Sequence, residues 1–291
     1  MERELWPLLY RSVREVARGF RQKYVQIPGW ILVLTMLWAA LHDRPVGWAC
    51  NPKNWSTTRL RPPRFPSERT MSRRVDGVGL GLLWRAIEQH LRELAATQPA
   101  LLAFLDAKPL TVGGATKDPD ARYGRAAGVM AKGYKLHTVW STRAMPEAWE
   151  LTPLNVGETT VAARLIPQLT GGGYLLADGN YDSSVLFDSA WRQGYQMLTP
   201  LPKAKEPGKG HCYQSPHRLR SIELMRGPFG LGLYQKRIAI EQSYGNATSF
   251  AGGLAPLPSW VRGIERVRTW VWAKLLINAA RILKLKDLRQ V

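Results

Sequence analysis

The stretch LLADGNYDSS, Leu175 to Ser184, runs an apolar segment into an aspartate and then breaks it at Gly-Asn. After Gly-Gly-Gly-Tyr, the residues Leu175, Leu176 and Ala177 read as a short buried strand. A carboxylate at its tip, Asp178, must be solvated, hydrogen-bonded or bound to a cation, because an unpaired charge at the edge of a core is costly. Gly179 and Asn180 allow the chain to turn sharply just beyond it. The glycines at 171 to 173 lack a following Gly-Lys-Ser/Thr, so they read as a turn and not as a phosphate loop.

Outward from this stretch the pattern alternates. LLAFLDAKPLTV (101–112), KGYKLHTVWS (132–141) and MPEAWELTP (145–153) read as strands of an antiparallel meander. VGETTVAARLIPQL (156–169) reads as a helix, GGGYLLAD as a fourth strand, SSVLFDSAWRQ as a helix and GYQMLTPLP as a fifth strand. That order predicts the α/β class, a mixed sheet flanked by helices, with Asp106 in the first strand and Asp178 at the tip of the fourth. Lys203 to Arg226 reads as a basic loop, followed by a helix over 232–246 and a long amphipathic one with Ser259 as its cap. Residues 1–98 form a mostly helical region: apolar positions recur at helical spacing from Trp6 to Val16, and again at Leu83, Ile87 and Leu91. The expected division is therefore 1–98, a mostly helical region, and 99–291, a mixed-sheet domain with C-terminal helices.

The chain of 291 residues carries 41 Lys and Arg against 22 Asp and Glu, a formal charge of +19, and is 45% hydrophobic. A core of that content excludes a disordered tail, and positive charge spread over Arg59 to Arg74, Lys203 to Arg226 and the segment after Arg262 points to a polyanion such as DNA. The apolar run Trp30 to Leu41 is too short to span a bilayer, and no small-residue cleavage site follows the N-terminus, so no membrane partner and a cytoplasmic, nucleoid-associated location are expected. Two cysteines, Cys50 and Cys212, give no disulfide framework. His211, Cys212 and His217 lack the spacing and the fourth ligand of a structural zinc site.

Three acids stand out: Asp106, Asp178 and Glu241, the last sharing a helix face with Tyr234 and Arg237. Arg237 and Glu241, four apart, also suit a simple surface ion pair. Carboxylates on a strand, at a strand tip and on a helix suit hard divalent cations, and two Mg²⁺ ions neutralise charge on a phosphodiester during displacement. Asp182 reads as a helix cap, His137 as a hydrogen-bonded strand histidine, and Glu158 as a helix-start charge. Phosphate-contact candidates are Arg69, Arg73 and Arg74 in the short helix capped by Ser67, together with Lys132, Lys135, Lys203 and Lys205. Trp48 and Trp55 flank the basic stretch and are candidates for base stacking.

LLAFLDAKPL, GYKLHTVWSTRAMPEAWELTPLNVGE, LLADGNYDSS and YQKRIAIEQSYG together resemble the catalytic domain of DDE transposases of bacterial insertion sequences. The resemblance implies a ribonuclease-H-like fold, with Asp106, Asp178 and Glu241 as catalytic metal ligands, and Mg²⁺ as cofactor with Mn²⁺ as a substitute. It implies that Tyr234 and Arg237 position DNA, that the partners are transposon terminal inverted repeats and target DNA, and that a homodimer forms on DNA through the Trp30 to Leu41 helix or the C-terminal helix. Thr248 stands where the family often has Lys or Arg. An inactive DNA-binding relic and a nuclease of the same fold without strand transfer are the alternative functions.

Overall fold

A computed structural model describes residues 2–20, 25–75, 77–94, 100–141, 143–201, 213–238, 253–254 and 256–289. The chain divides into two compact units, one of residues Met1–Ala96, Ala115–Asp120 and Asn246–Val291 and the other of Thr97–Gly114 and Ala121–Gly245. The helical unit thus takes in the 246–291 segment along with the first 96 residues.

In the helical unit, helices α1 (Glu2–Val16), α2 (Gly29–Leu41) and α5 (Val78–Leu94) pack against the long helix α10 (Ile264–Arg289). A helix apolar all round belongs in the middle of a bundle. In α2 all residues but Trp30 are buried, and in α10 every residue from Thr269 to Ala280 is buried, so the expected amphipathic helix is a central one. Burial inside their own unit takes α2 and residues 269–280 of α10 out of the expected dimerisation surfaces.

Several polar groups drawn into this core are paired. Lys274 Nζ lies 2.6 Å from Asp43 Oδ1, and Trp272 Nε1 donates to Glu88 Oε2 at 2.6 Å while Arg92 meets the other Glu88 oxygen at 2.5 Å. Helix α10 starts at Ile264 and not at the expected Ser259 cap. Its first backbone N–H groups instead go to remote carboxylates, Gly263 N to Asp118 Oδ2 at 3.0 Å and Ile264 N to Asp120 Oδ2 at 2.9 Å. Three indoles fix the irregular basic stretch: Trp6, Trp38 and Trp55 donate to the carbonyls of Leu60, Asn54 and Ala49, and Trp38 stacks on Trp55 at 4.6 Å. Trp55 is wholly buried, so it is a core residue and takes no base.

In the other unit, β1 (Leu102–Thr111), β2 (Arg122–Ala126), β3 (Val129–Trp140), β4 (Ala148–Pro153), β5 (Gly173–Ala177) and β6 (Tyr195–Leu198) form one mixed sheet in the order β2-β3-β1-β5-β6. The long β3 pairs antiparallel with β1 on one side; on its other side β2 covers its first half and β4 its second. β1–β5 and β5–β6 are parallel. Helices α6 (Glu158–Leu165) and α7 (Ser184–Arg192) pack over Ala103, Leu105, Val139, Leu175 and Ala177. This is the mixed α/β sheet with an N-terminal helical region that the sequence predicts, consistent with a ribonuclease-H-like fold.

Two elements escaped the sequence reading. β2 is RYGRA, a charged segment exposed at Arg122, Tyr123 and Arg125, and its hairpin turn is Ala127-Gly128, where both residues have positive φ (49° and 85°). Such a two-residue turn normally advertises itself as Asn-Gly or Asp-Gly. Within the expected 203–226 loop, Pro216–Arg226 forms α8, capped by Ser215 Oγ accepting from His217 N and Arg218 N; it buries only Ser221 and Met225, too little to give a helical period. Helix α9 (Pro228–Gln235) follows.

Glu88→Ala would strip a buried indole N–H and a guanidinium of their acceptor. Urea unfolding followed by tryptophan fluorescence should show a loss of about 3 kcal/mol, and an unchanged midpoint would mean that neither group depends on that carboxylate.

Candidate active site

Parallel pairing of β1 with β5 runs from Leu102 opposite Tyr174 to Leu105 opposite Ala177. The next residue in each strand is an aspartate, Asp106 in β1 and Asp178 just past the end of β5. Side chains alternate along a strand. Leu105 and Ala177 point into the core under α6 and α7, so Asp106 and Asp178 share the opposite face. β1 continues to Thr111 with β3 alone, whereas β5 stops, and the register leaves the two carboxylates neighbours where the sheet opens.

The turn after Asp178 orients its carboxylate. Asp178 caps a short 3-10 turn, Gly179–Tyr181, by accepting from Asn180 N–H at 2.8 Å through Oδ1. Oδ2 is left for a cation, and Arg237 Nη2 lies 4.0 Å from it and 3.5 Å from Asp106 Oδ1. Arg237 follows α9, and its guanidinium also hydrogen-bonds the Tyr234 hydroxyl. The sequence leaves Arg237 as a helix-surface partner of Glu241; in the structure it reaches across to the aspartates. Nothing local in the sequence signals that contact.

Burial raises the affinity of both aspartates for a proton. For Asp106, desolvation is opposed by the Ala107 N–H and by Arg237, then reinforced by Asp178 and Glu158. For Asp178, desolvation is opposed by the Asn180 N–H and Arg237 and reinforced by Glu158. Two close carboxylates with raised pKa values form a site that rewards an added cation. The donor set fits a hard divalent ion: oxygen ligands, side chains partly exposed at 24% and 30%, and a guanidinium as the nearest positive charge. Among the described residues no three His, Cys, Asp or Glu side chains converge on one point. Glu241, like Lys203 and Lys205, lies outside the described residues.

The other expected site residues distribute as follows. Lys135 lies on the α6 face, opposite to Asp106, with its Nζ 3.0 Å from Glu158 Oε1. Glu158 is thereby tied to β3 while its charge still acts on both aspartates. Lys132 pairs with Tyr123 across β2–β3. His137 also lies on the α6 face, buried, with Nε2 3.0 Å from Thr152 Oγ1. Burial first, then Lys135 and Arg164, pushes its pKa down to about 3. Asp182 is no helix cap: Ser183 holds that position, and Asp182 takes a two-pronged pair from Arg218 at 2.6 and 2.7 Å.

In the helical unit, α4 (Glu68–Arg74) is capped as expected, Ser67 Oγ accepting from Thr70 N at 3.1 Å. Arg69 and Arg73 are exposed, whereas Arg74 donates to the Ile27 carbonyl and so serves the fold. Arg69 lines a cleft of about 740 Å³ with Trp48, Met71, Trp260 and Arg266. No helix among the described residues is long and apolar enough to cross a membrane.

Among known proteins, a family described as "Transposase DDE domain" matches residues 97–277. No curated protein matches the chain.

The neutral His137 sets a sign for acid stability. The unfolded chain takes the proton near pH 6.5 and the folded one only near 3, so stability is full above 6.5 and falls as pH drops through that window. Between pH 7 and pH 5 the loss should be about 2 kcal/mol, and His137→Gln should remove it from the difference between urea unfolding curves at the two pH values.

Proposed function

We propose that this chain, which belongs to the transposase DDE domain family, cuts DNA at the ends of a mobile element and joins the freed 3′-OH to target DNA. Two carboxylates on neighbouring parallel strands, facing one guanidinium at 3.5 and 4.0 Å, carry the proposal. Members of the family act on DNA and generally use divalent metal ions. Asp106 and Asp178 would hold Mg²⁺ or Mn²⁺, with Glu241 as the third ligand. Bound there, the metal would supply charge neutralisation at phosphorus and an acidified water.

The chain's own residues do the rest. The β1–β5 register fixes the separation of the two carboxylates, and the Asn180 N–H holds the Asp178 carboxylate so that Oδ2 faces the site. Tyr234 and Arg237 orient the phosphate near the cut. Arg69 and Arg73 of α4, with Lys132, Lys203 and Lys205, contact neighbouring phosphates, so DNA binding weakens steeply with salt. Cleavage adds water across a P–O3′ bond, leaving a 3′-OH and a 5′-phosphate. Joining exchanges that 3′ oxygen for the 3′ oxygen of a target phosphodiester, which conserves the number of phosphodiester bonds. Residues 1–98 serve as the DNA-gripping part and 99–291 as the catalytic part, and two copies assemble on paired ends.

The test is cleavage of a DNA fragment carrying the element's ends, with Mg²⁺ or Mn²⁺ against Ca²⁺ or EDTA, by the parent and by Asp106→Asn and Asp178→Asn. Metal-dependent 3′-OH ends should fall at least about 100-fold in either variant while DNA binding persists. Equal binding with no cleavage by any of the three under conditions that assemble both ends would identify a DNA-binding relic. Cleavage without joined products would identify a nuclease.

A further inference from the structure

We propose that Arg237 is the internal counter-ion of the acid pair, occupying the cation's place in the metal-free protein and giving it up when a divalent ion binds; this rests on the reading that Asp106 and Asp178 hold metal. Two carboxylates brought together by strand register repel each other and are partly withdrawn from water, so the metal-free fold needs a positive charge beside them. The described residues supply it in one side chain. Arg237 Nη2 is 3.5 Å from Asp106 Oδ1 and 4.0 Å from Asp178 Oδ2, closer to ion pairing than to good hydrogen bonds. Its Nε is buried with no hydrogen-bond partner among the described residues, and the guanidinium otherwise rests on the Tyr234 hydroxyl. Lys135, on the adjacent strand and the opposite face, is engaged by Glu158 at 3.0 Å.

The backbone at Arg237 suits a side chain that changes partners. The residue lies in the turn after α9, its N–H bonded to Tyr234 O at 2.9 Å, and not inside a packed helix. A divalent ion between the carboxylates and a guanidinium on the same oxygens exclude each other by charge. Metal loading therefore frees Arg237 for a DNA phosphate, and a phosphate that captures Arg237 frees the carboxylates for metal. The two ligands assist each other by the same factor in both directions. Arg237 thus couples the arrival of DNA to the loading of metal.

Mn²⁺ titration of the full chain, followed by the electron paramagnetic resonance of the free ion, tests this without any turnover. A cation 4 to 6 Å from a carboxylate changes its affinity for a competing positive charge by about 10-fold to 1,000-fold, and partial exposure favours the lower end. Without DNA, Arg237→Ala and Arg237→Gln should each bind Mn²⁺ about 10-fold more tightly than the parent, and their metal-free forms should melt at lower temperature; Arg237→Lys, which keeps the charge, should stay near the parent. Circular dichroism establishes that each variant is folded, and the glutamine variant serves if the alanine one is not. Parent-like Mn²⁺ affinity in both neutral variants, with binding abolished by Asp178→Asn, would overturn the counter-ion role and leave the metal reading standing. Mn²⁺ binding unaffected by Asp178→Asn would overturn the metal reading and the counter-ion role with it.

Discussion

The parallel pairing of β1 with β5 is the constraint from which the candidate site follows. Backbone hydrogen bonds match Leu105 with Ala177, and the next position on each strand is an aspartate. A one-residue slip would turn one carboxylate into the core beneath α6 and α7, where nothing would solvate it. The apolar alternation of Ala103 and Leu105 with Leu175 and Ala177 therefore does two things at once: it buries one face of the sheet and it fixes two charges side by side on the other. Chemistry and stability are written in the same strands, and the charge repulsion they create is what Arg237 relieves.

Much of this was legible in the sequence, and the limits were physical. Asp106, Asp178 and the order of the strands around them could be read because a charge in an apolar run has few innocent explanations and because the apolar periods of β1, β5, α6 and α7 are clean. β2 was not legible, since it is a charged, glycine-containing segment whose stability comes from its neighbour β3. The reach of Arg237 to the aspartates was hidden for another reason: a guanidinium on a flexible stem chooses its partner by tertiary proximity, and spacing along the chain reports only helical neighbours. Lys135 reads as a phosphate contact, yet the pleat sends it to the face opposite Asp106, where Glu158 holds it.

Tryptophan gives a second lesson about proximity in sequence. Trp55 stands in a basic segment and looks like a stacking platform, but its ring stacks on Trp38, with Trp6 and Phe65 edge-on, and its N–H is spent on a backbone carbonyl. The aromatic residues hold an irregular, proline-broken stretch in place. Arg74 is consumed in that task, while Arg69 and Arg73 remain on the surface.

The central place of α10 in the helical unit bears on how the protein is made. Helices α1, α2 and α5 leave the ribosome first, yet the helix they surround is encoded more than 160 residues later, and its N-terminus is capped by Asp118 and Asp120 from the segment between β1 and β2. The sheet of residues 97–245 has all its strands before α10 exists, so it can fold during synthesis. The first helices meanwhile can pack on one another but lack the long helix that they surround. A nascent chain of this protein therefore passes through a period in which the acid pair is assembled and the helical unit is not, and a message cut short before α10 yields the sheet with its acids and a helical unit without its central helix.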